Sequence, residues 1–390
     1  MAYDVVIWCP DRHIVYDGDT PDQRGVGGGI TARVRMARAL ARRGHRVTVV
    51  ANCARRATID GVDYVPLDES PPLEADVAIL TTSGDRLDLT SALKLGIEGR
   101  LRIVWVHGAT RPAGLDAVEP DFVYAVSNFI ADAVRSHWGV PAERVFVAYN
   151  AYEEEVFGKA ESHGARRDPF RLVYFSHPSK GLESAIEVTK WLRAKDPRFQ
   201  LVVFGSEELW GGAANEPVAI DGIIYQGLVG QNRLAAELLQ CTYSLQLQDR
   251  EEPFGLAMLE AMRGACVVLA SPVGAYPELV TNGNGFLIQG DHRRAETQRA
   301  AAETILGLHQ DSALREAVQR SAQAAPWSSD TMAATWEGHW DWWFDGGRRE
   351  EGSAEPCPVC SGATLSLADG LHCLDCSSYR ARVPQPAGVG

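Results

Sequence analysis

Three groups of residues in this chain have the types and spacing to do chemistry. The first is Cys357, Cys360, Cys373 and Cys376, two C-x2-C knuckles with twelve residues between them. Thiolates at this spacing close around a tetrahedral Zn2+, and four protein ligands leave no open position, so the expected metal is structural. So short a segment has too little apolar core to fold alone, and Zn binding worth about 10–16 kcal/mol would supply the difference. The second group is Ser179-Lys180-Gly181, just after the apolar run Arg171-Leu-Val-Tyr-Phe175. A lysine between a strand end and a helix start in a parallel sheet points into the ligand crevice, where it can neutralise a diphosphate. The third is Glu252-Pro-Phe-Gly-Leu-Ala-Met-Leu-Glu260. A helix starting near Phe254 or Gly255 leaves Glu252 on the loop and puts Glu260 on an otherwise apolar segment. A carboxylate there is costly unless it meets donors, and ribose hydroxyls are suitable ones. The amides of Phe254, Gly255 and Leu256 open that helix and make an anion or hydroxyl site.

A further signal is Gly27-Gly28-Gly29, which leads into a helix over 30–43. Glycines let an anion approach the free amides of a helix start, so phosphate is the natural guest. A nicotinamide-dependent dehydrogenase is disfavoured. The loop from Trp8 to Gly25 is too long for the dinucleotide turn, the spacing is not G-x-G-x-x-G, and the second strand ends at Ala51-Asn52 without an acidic ribose ligand.

The elements that must position these residues alternate between strand and helix. Strands are expected at 4–8, 46–51, 77–81, 102–107, 122–126 and 144–148, and helices at 30–43 and 128–138. Residues 158–169 read as a linker. A second series has strands at 171–175, 199–204, 222–226, 243–247 and 265–270, helices at 182–194, 231–240 and 255–263, and a helical stretch at 293–324. This alternation implies two parallel sheets covered by helices. Trp336, Trp340 and Trp343 recur at helical spacing and read as a packing face. The expected division is an N-terminal domain over 1–165, a second over 166–326, a crossover helix over 327–345 and a zinc ribbon over 356–380.

At 390 residues the chain exceeds one ordinary core, and 45% hydrophobic with 23% charged residues is a globular composition. A net charge of -13 argues against nucleic acid, which needs a basic face, and against docking on anionic lipid. No secretory signal and no apolar stretch of about 20 residues is visible, so a cytoplasmic protein without membrane insertion is expected. Cys9, Cys53, Cys241 and Cys266 read as buried thiols. The arginines at 33, 35, 38, 42 and 43 read as the wet face of the 30–43 helix, and Asp11, Asp17 and Asp19 as a solvated loop.

Glu252 and Glu260 together form an E-x7-E pair, and the chain resembles the large retaining glycosyltransferase family 4. Gly27-Gly28-Gly29 with Leu40-Ala-Arg-Arg-Gly-His45-Arg-Val-Thr-Val resembles that family's phosphate loop and following strand. Val126-Ser127 with Pro141, Val145 and Asn150 resembles its interdomain segment. Lys180-Gly181, Glu260-Ala261-Met262, Gly274, Pro277-Glu278 and Gly283 resemble its nucleotide-binding stretch, and Trp327 with the following helix its crossover. The resemblance runs from about residue 4 to about residue 343. It implies a GT-B fold, α/β with two Rossmann-like domains, to which the ribbon is appended. It also implies a nucleoside-diphosphate-sugar donor, and these roles: Lys180 on the diphosphate, Glu260 on the ribose, Glu252 and the Phe254–Leu256 amides on the transferred sugar, Gly28 and Gly29 on the phosphates, and His107 near the donor sugar. The family's arginine before the lysine is absent; Ser176-His177-Pro178-Ser179 stands there, with His177 as a weaker substitute.

The resemblance further implies same-face displacement with retention, in which the leaving diphosphate helps take the acceptor proton. No DxD-type pair stands out, so no catalytic metal is expected. The rival readings are an epimerase or hydrolase of the same fold, or a weakly catalytic scaffold that recruits a protein partner through the ribbon. The ribbon itself has three candidate roles: docking the acceptor, binding a partner, or bracing the enzyme.

Overall fold

The structure, a computed structural model, describes residues 1–82, 88–164, 166–210, 212–213, 218–281, 283–347 and 355–382. The chain forms two compact units. The first holds Met1–Asp19, Gly29–Ala151 and Pro326–Arg382; the second holds Thr20–Gly28 and Tyr152–Ala325.

The first unit is built on eight strands: β1 (Asp4–Trp8), β2 (Arg46–Ala51), β3 (Ala57–Ile59), β4 (Val62–Pro66), β5 (Leu73–Thr82), β6 (Ile97–Val106), β7 (Phe122–Ala125) and β8 (Val145–Val147). Their order is β3-β4-β2-β1-β5-β6-β7-β8. All neighbours are parallel except β3 and β4, a short antiparallel hairpin absent from the sequence-based expectation. Val5 to Trp8 are all buried, as expected of a parallel strand covered on both faces.

The first long helix runs Gly28–Arg42. Its arginines do not form the expected wet face: Arg33, Arg35 and Arg38 are buried. Arg33 pairs with Asp11, itself buried, and donates to Tyr16 Oη at 3.2 Å. Arg35 donates to Ala151 O at 3.0 Å and Arg38 to Gly18 O at 2.7 Å. Burying a charge costs energy unless it is paired and hydrogen-bonded, and these partners come from loops far along the chain. The helix Ser329–Phe344 turns Trp336 and Trp340 fully inward, and Trp336 meets Trp105 edge-on with centroids 4.8 Å apart.

The second unit carries six parallel strands: β9 (Asp168–Phe175), β10 (Gln200–Phe204), β11 (Ile223–Gly227), β12 (Cys241–Gln246), β13 (Val267–Ala270) and β14 (Gly285–Leu287). Their order is β11-β10-β9-β12-β13-β14. The chain winds outward from β9 through β10 and β11, then returns to β12 on the other side. The order therefore reverses between β9 and β12, and in open α/β sheets ligands bind outside the carboxyl ends of strands at such a reversal. The stretch expected as a linker is partly structured: a helix occupies Glu154–Glu161, and β9 begins at Asp168. Arg263 holds that helix through Glu154 and, at 2.7 Å, Glu161.

The C-terminal cysteine module is a three-stranded antiparallel sheet, β15 (Thr364–Ser366), β16 (Gly370–Cys373) and β17 (Tyr379–Ala381), and it packs into the first unit. Asp369, wholly buried, accepts from Thr335 Oγ1 at 2.8 Å and contacts His372 Nε2 at 2.9 Å. Trp327 Nε1 donates to Tyr379 Oη at 2.9 Å, and Arg135 donates to Cys376 O and Ser377 Oγ. Of the three roles open to the ribbon, bracing is the one these contacts describe. Cys9, Cys53, Cys241 and Cys266 are buried free thiols. No helix among the described residues is long and apolar enough to cross a membrane.

Candidate active site and metal centre

Lys180 and Glu252 lie on the loops that leave β9 and β12, the two strands at the reversal. The loop after β9 turns into the helix Leu182–Arg193 through Gly181, whose φ is +93°. An ideal Cβ at Gly181 would fall 1.8 Å from Leu247 O, so only glycine lets the β9 loop press this closely on the β12 loop. Lys180 Nζ donates to Glu252 Oε2 at 2.7 Å, and both side chains are mostly but not fully buried. Glu252 is held from behind. Ala275 N donates to its carbonyl at 2.9 Å, and Gly274, with φ +52°, leaves room that a Cβ would close to 2.3 Å from the same oxygen.

Two residues not singled out from the sequence complete this wall. Gln248 Nε2 donates to Tyr276 Oη at 2.7 Å and reaches Glu252 Oε2 at 3.4 Å. Nothing local in the sequence pointed to Tyr276.

The helix Leu256–Arg263 starts one residue later than Gly255, which caps it. Phe254, Gly255 and Leu256 are buried at its mouth, and first-turn amides have no intrahelical acceptor. Glu260 lies on the same helix, 5% exposed among Met258, Leu259, Ala261 and Met262, which are fully buried. Gly28 groups with this second unit, where an ideal Cβ on it would stand 3.8 Å from Leu256 Cδ2.

His177 is buried on the β9 loop. Ser179 N donates to its Nδ1 at 3.2 Å, so Nε2 carries the proton and donates to Glu207 Oε2 at 2.9 Å. Its ring stacks on Trp210, with centroids 3.6 Å apart and planes 12° off parallel. Burial pushes the imidazole below its ordinary value despite Glu207, and Arg250 and Lys180 add to that depression. Lys180 Nζ lies 5.6 Å, and Arg250 Cζ 5.1 Å, from the centroid of the same indole. Trp210, Glu207 and Arg250 carried no sequence signal, because neither a motif nor a period marks them.

In the first unit, His107 follows β6, and Gly29 lies in the first turn of the helix Gly28–Arg42. His107 N donates to Thr82 Oγ1 at 3.1 Å, and Nδ1 faces Thr82 O at 3.2 Å, which puts the proton on Nδ1. Nε2 is buried with no hydrogen-bond partner among the described residues. Burial, aided by the Arg33 charge, holds this imidazole down at about 3, so it is neutral at pH 7.

The four cysteines of the ribbon converge. Their sulfurs all lie within 4.8 Å of one another, with Cys357–Cys376 at 3.7 Å and Cys360–Cys373 at 3.6 Å. Four thiolates around Zn2+ at about 2.3 Å would stand about 3.8 Å apart. Amides of Val359, Gly362 and Asp375 each point at a sulfur at 3.4 Å, and that of Cys376 at 3.3 Å. The residue after each knuckle, Ser361 or Ser377, has positive φ (60° and 56°), so the two knuckles share one backbone shape. Donor set, spacing and amide cradle all fit a tetrahedral thiolate-bound metal ion.

Residues 162–325 match the family Glycosyl transferases group 1. A GDP-mannose:cellobiosyl-diphosphopolyprenol alpha-mannosyltransferase of Xanthomonas campestris is 26% identical over 258 residues, which is 63% of this chain and 61% of that protein. The chain therefore spans about three-fifths of that relative's length. Among solved structures, a glycosyltransferase from Rickettsia africae superposes with a TM-score of 0.64 at 12% identity, covering 88% of this chain and 99% of the other. Anabaena HepE, solved in complex with UDP-glucose, superposes at 0.56 and 17% identity, covering 85% and 97%. These likenesses, with two largely parallel sheets in sequence, show a GT-B type fold, and residues 162–325 are similar to the glycosyl transferases group 1.

Proposed function

We propose that this chain is a retaining glycosyltransferase of family 4, moving a sugar from a nucleoside-diphosphate-sugar to an acceptor. The observation that carries this reading is the Lys180–Glu252 contact at the reversal between β9 and β12. A cation beside a carboxylate there suits a ligand with an anionic and a hydroxylated end. Lys180 would neutralise the charge that builds on the leaving diphosphate. Glu252 would hold the transferred sugar with the amides of Phe254, Gly255 and Leu256, and Glu260 would bind the ribose. His177 would border the phosphates. Gly28 and Gly29 would offer helix-start amides, and His107 an unprotonated Nε2 beside the donor sugar. In this reading residues 166–326 are the donor domain, 1–165 the acceptor domain, and 327–345 the crossover. The cysteine ribbon over 356–380 holds a structural Zn2+.

The test is transfer from a panel of sugar nucleotides, selected by thermal shift, with product distinguished from free sugar. Lys180→Ala and Glu252→Ala should each lower turnover about 10²–10³-fold while the chain still folds. Wild-type turnover in both variants would end this reading; free sugar with no glycosylated product would point to a hydrolase.

A further inference from the structure

A diphosphate brings more than one negative charge, and Lys180 is a single cation already leaning on Glu252. His177 does not supply the second. Its Nδ1 is taken by Ser179, its Nε2 by Glu207, and one face of its ring by Trp210. The cation that does face this spot is on the other loop. Arg250 precedes Glu252 by two positions, is exposed, and has its guanidinium over Trp210, the ring that Lys180 also borders. Among the described residues no carboxylate pairs with Arg250. Asp249, beside it in sequence, turns instead to Arg293 at 2.9 Å.

We propose that Arg250 is the second diphosphate-binding cation of this site, so that a nucleoside diphosphate is gripped by one cation from each of the two loops at the strand reversal. This rests on the reading of Lys180 given above. A guanidinium presents a planar fork of donors that matches two phosphate oxygens at once, whereas an ammonium acts as a point charge. The Trp210 indole, with His177 stacked against it, is the surface on which both cations rest. A monophosphate, being shorter and lower in charge, gains less from having both.

The test uses the full chain and isothermal titration with inorganic pyrophosphate and, separately, orthophosphate. Arg250→Ala should weaken pyrophosphate binding about tenfold or more and orthophosphate far less, with Arg250→Lys between wild type and Ala. Arg250 is exposed, so the unfolding midpoint should not move. Pyrophosphate affinity within about twofold of wild type in Arg250→Ala, with binding lost in Lys180→Ala, would overturn the role of Arg250 and leave the reading of the site standing. Equal weakening for both anions would overturn the two-cation grip. Failure of the wild-type chain to bind pyrophosphate, or binding untouched by Lys180→Ala, would remove both.

Discussion

Lys180 Nζ and Glu252 Oε2 meet at 2.7 Å although 72 residues separate them, because β9 and β12 are hydrogen-bonded neighbours and their exit loops share one end of the sheet. The contact is mostly buried, so each charge depends on the other. Removing one partner leaves a desolvated charge without its counter-ion, and removing both does not. The expected result is therefore non-additive. Lys180→Ala and Glu252→Gln should each lower stability and turnover, and the double variant should cost less than the two singles together, with a coupling of about 0.5–3 kcal/mol. Denaturant unfolding and kcat/KM on all four proteins check it; strict additivity would mean that the two side chains act apart.

Gly181 is the steric condition for that contact. Its left-handed backbone already penalises any side chain by about 1–2 kcal/mol, and a Cβ would overlap Leu247 O. Gly181→Ala should therefore destabilise the second unit by at least about 2 kcal/mol and push the β12 loop away from Lys180. Donor affinity should fall although no donor-facing side chain has changed. Urea unfolding with a nucleotide-binding titration reads both effects. Gly158→Ala, in a helix and with no heavy atom within 4 Å of its ideal Cβ, is the control that should lower neither.

Much of this arrangement was legible in the sequence. The strands expected at 171–175 and 243–247, the lysine after the first and the two glutamates after the second place the wall at the strand reversal almost unaided. What was not legible depends on contacts between distant segments. Arg33 and Asp11 look like ordinary surface charges until the fold pairs them in the interior. Trp210 and Glu207 sit in a single 3-10 turn, yet they cover His177 from 30 or more positions away. The β3–β4 hairpin escaped because strands of three and five residues around Asp60 and Gly61 give no sustained alternation. The spacing of the four cysteines announced their cluster, but the docking of that module rests on Asp369, Tyr379 and Arg135, which belong to no motif.

That docking would make a metal held by the four cysteines a stability element of the first unit. Metal analysis should find one Zn per chain, and Cys376→Ser should lose it and lower the unfolding midpoint. Arg135→Ala separates the metal from the brace. It removes the donor to Cys376 O and Ser377 Oγ without touching a sulfur. It should keep the zinc and still cost about 1–3 kcal/mol. A ribbon that served only as a free recruiting arm would leave the unit's stability unchanged in both variants.

His339 sets a pH limit on the same unit. Its imidazole is buried, ring-stacked between Phe146 and Trp342, edge-on to Phe122, with Tyr124 Oη at 2.6 Å from Nδ1 and His372, itself bonded to Asp369, on the ribbon side. Burial, with a smaller contribution from His372, lowers its pKa to about 3. An unfolded histidine titrates near 6.5, so above that pH neither state is protonated and no stability depends on this group. As pH falls below about 6.5 the unfolded chain takes up a proton that the folded chain refuses until about 3. Stability is therefore lost across that window, by about 1.4 kcal/mol per pH unit for each such histidine. His107, lowered to about 3 chiefly by burial, adds in the same direction. His339→Gln keeps a polar partner for Tyr124 and cannot titrate. Its unfolding free energy between about pH 6 and pH 5, above the ordinary carboxylate range, should fall less steeply than wild type by close to one proton. Parallel slopes in the two proteins would show that His339 is charged inside the fold.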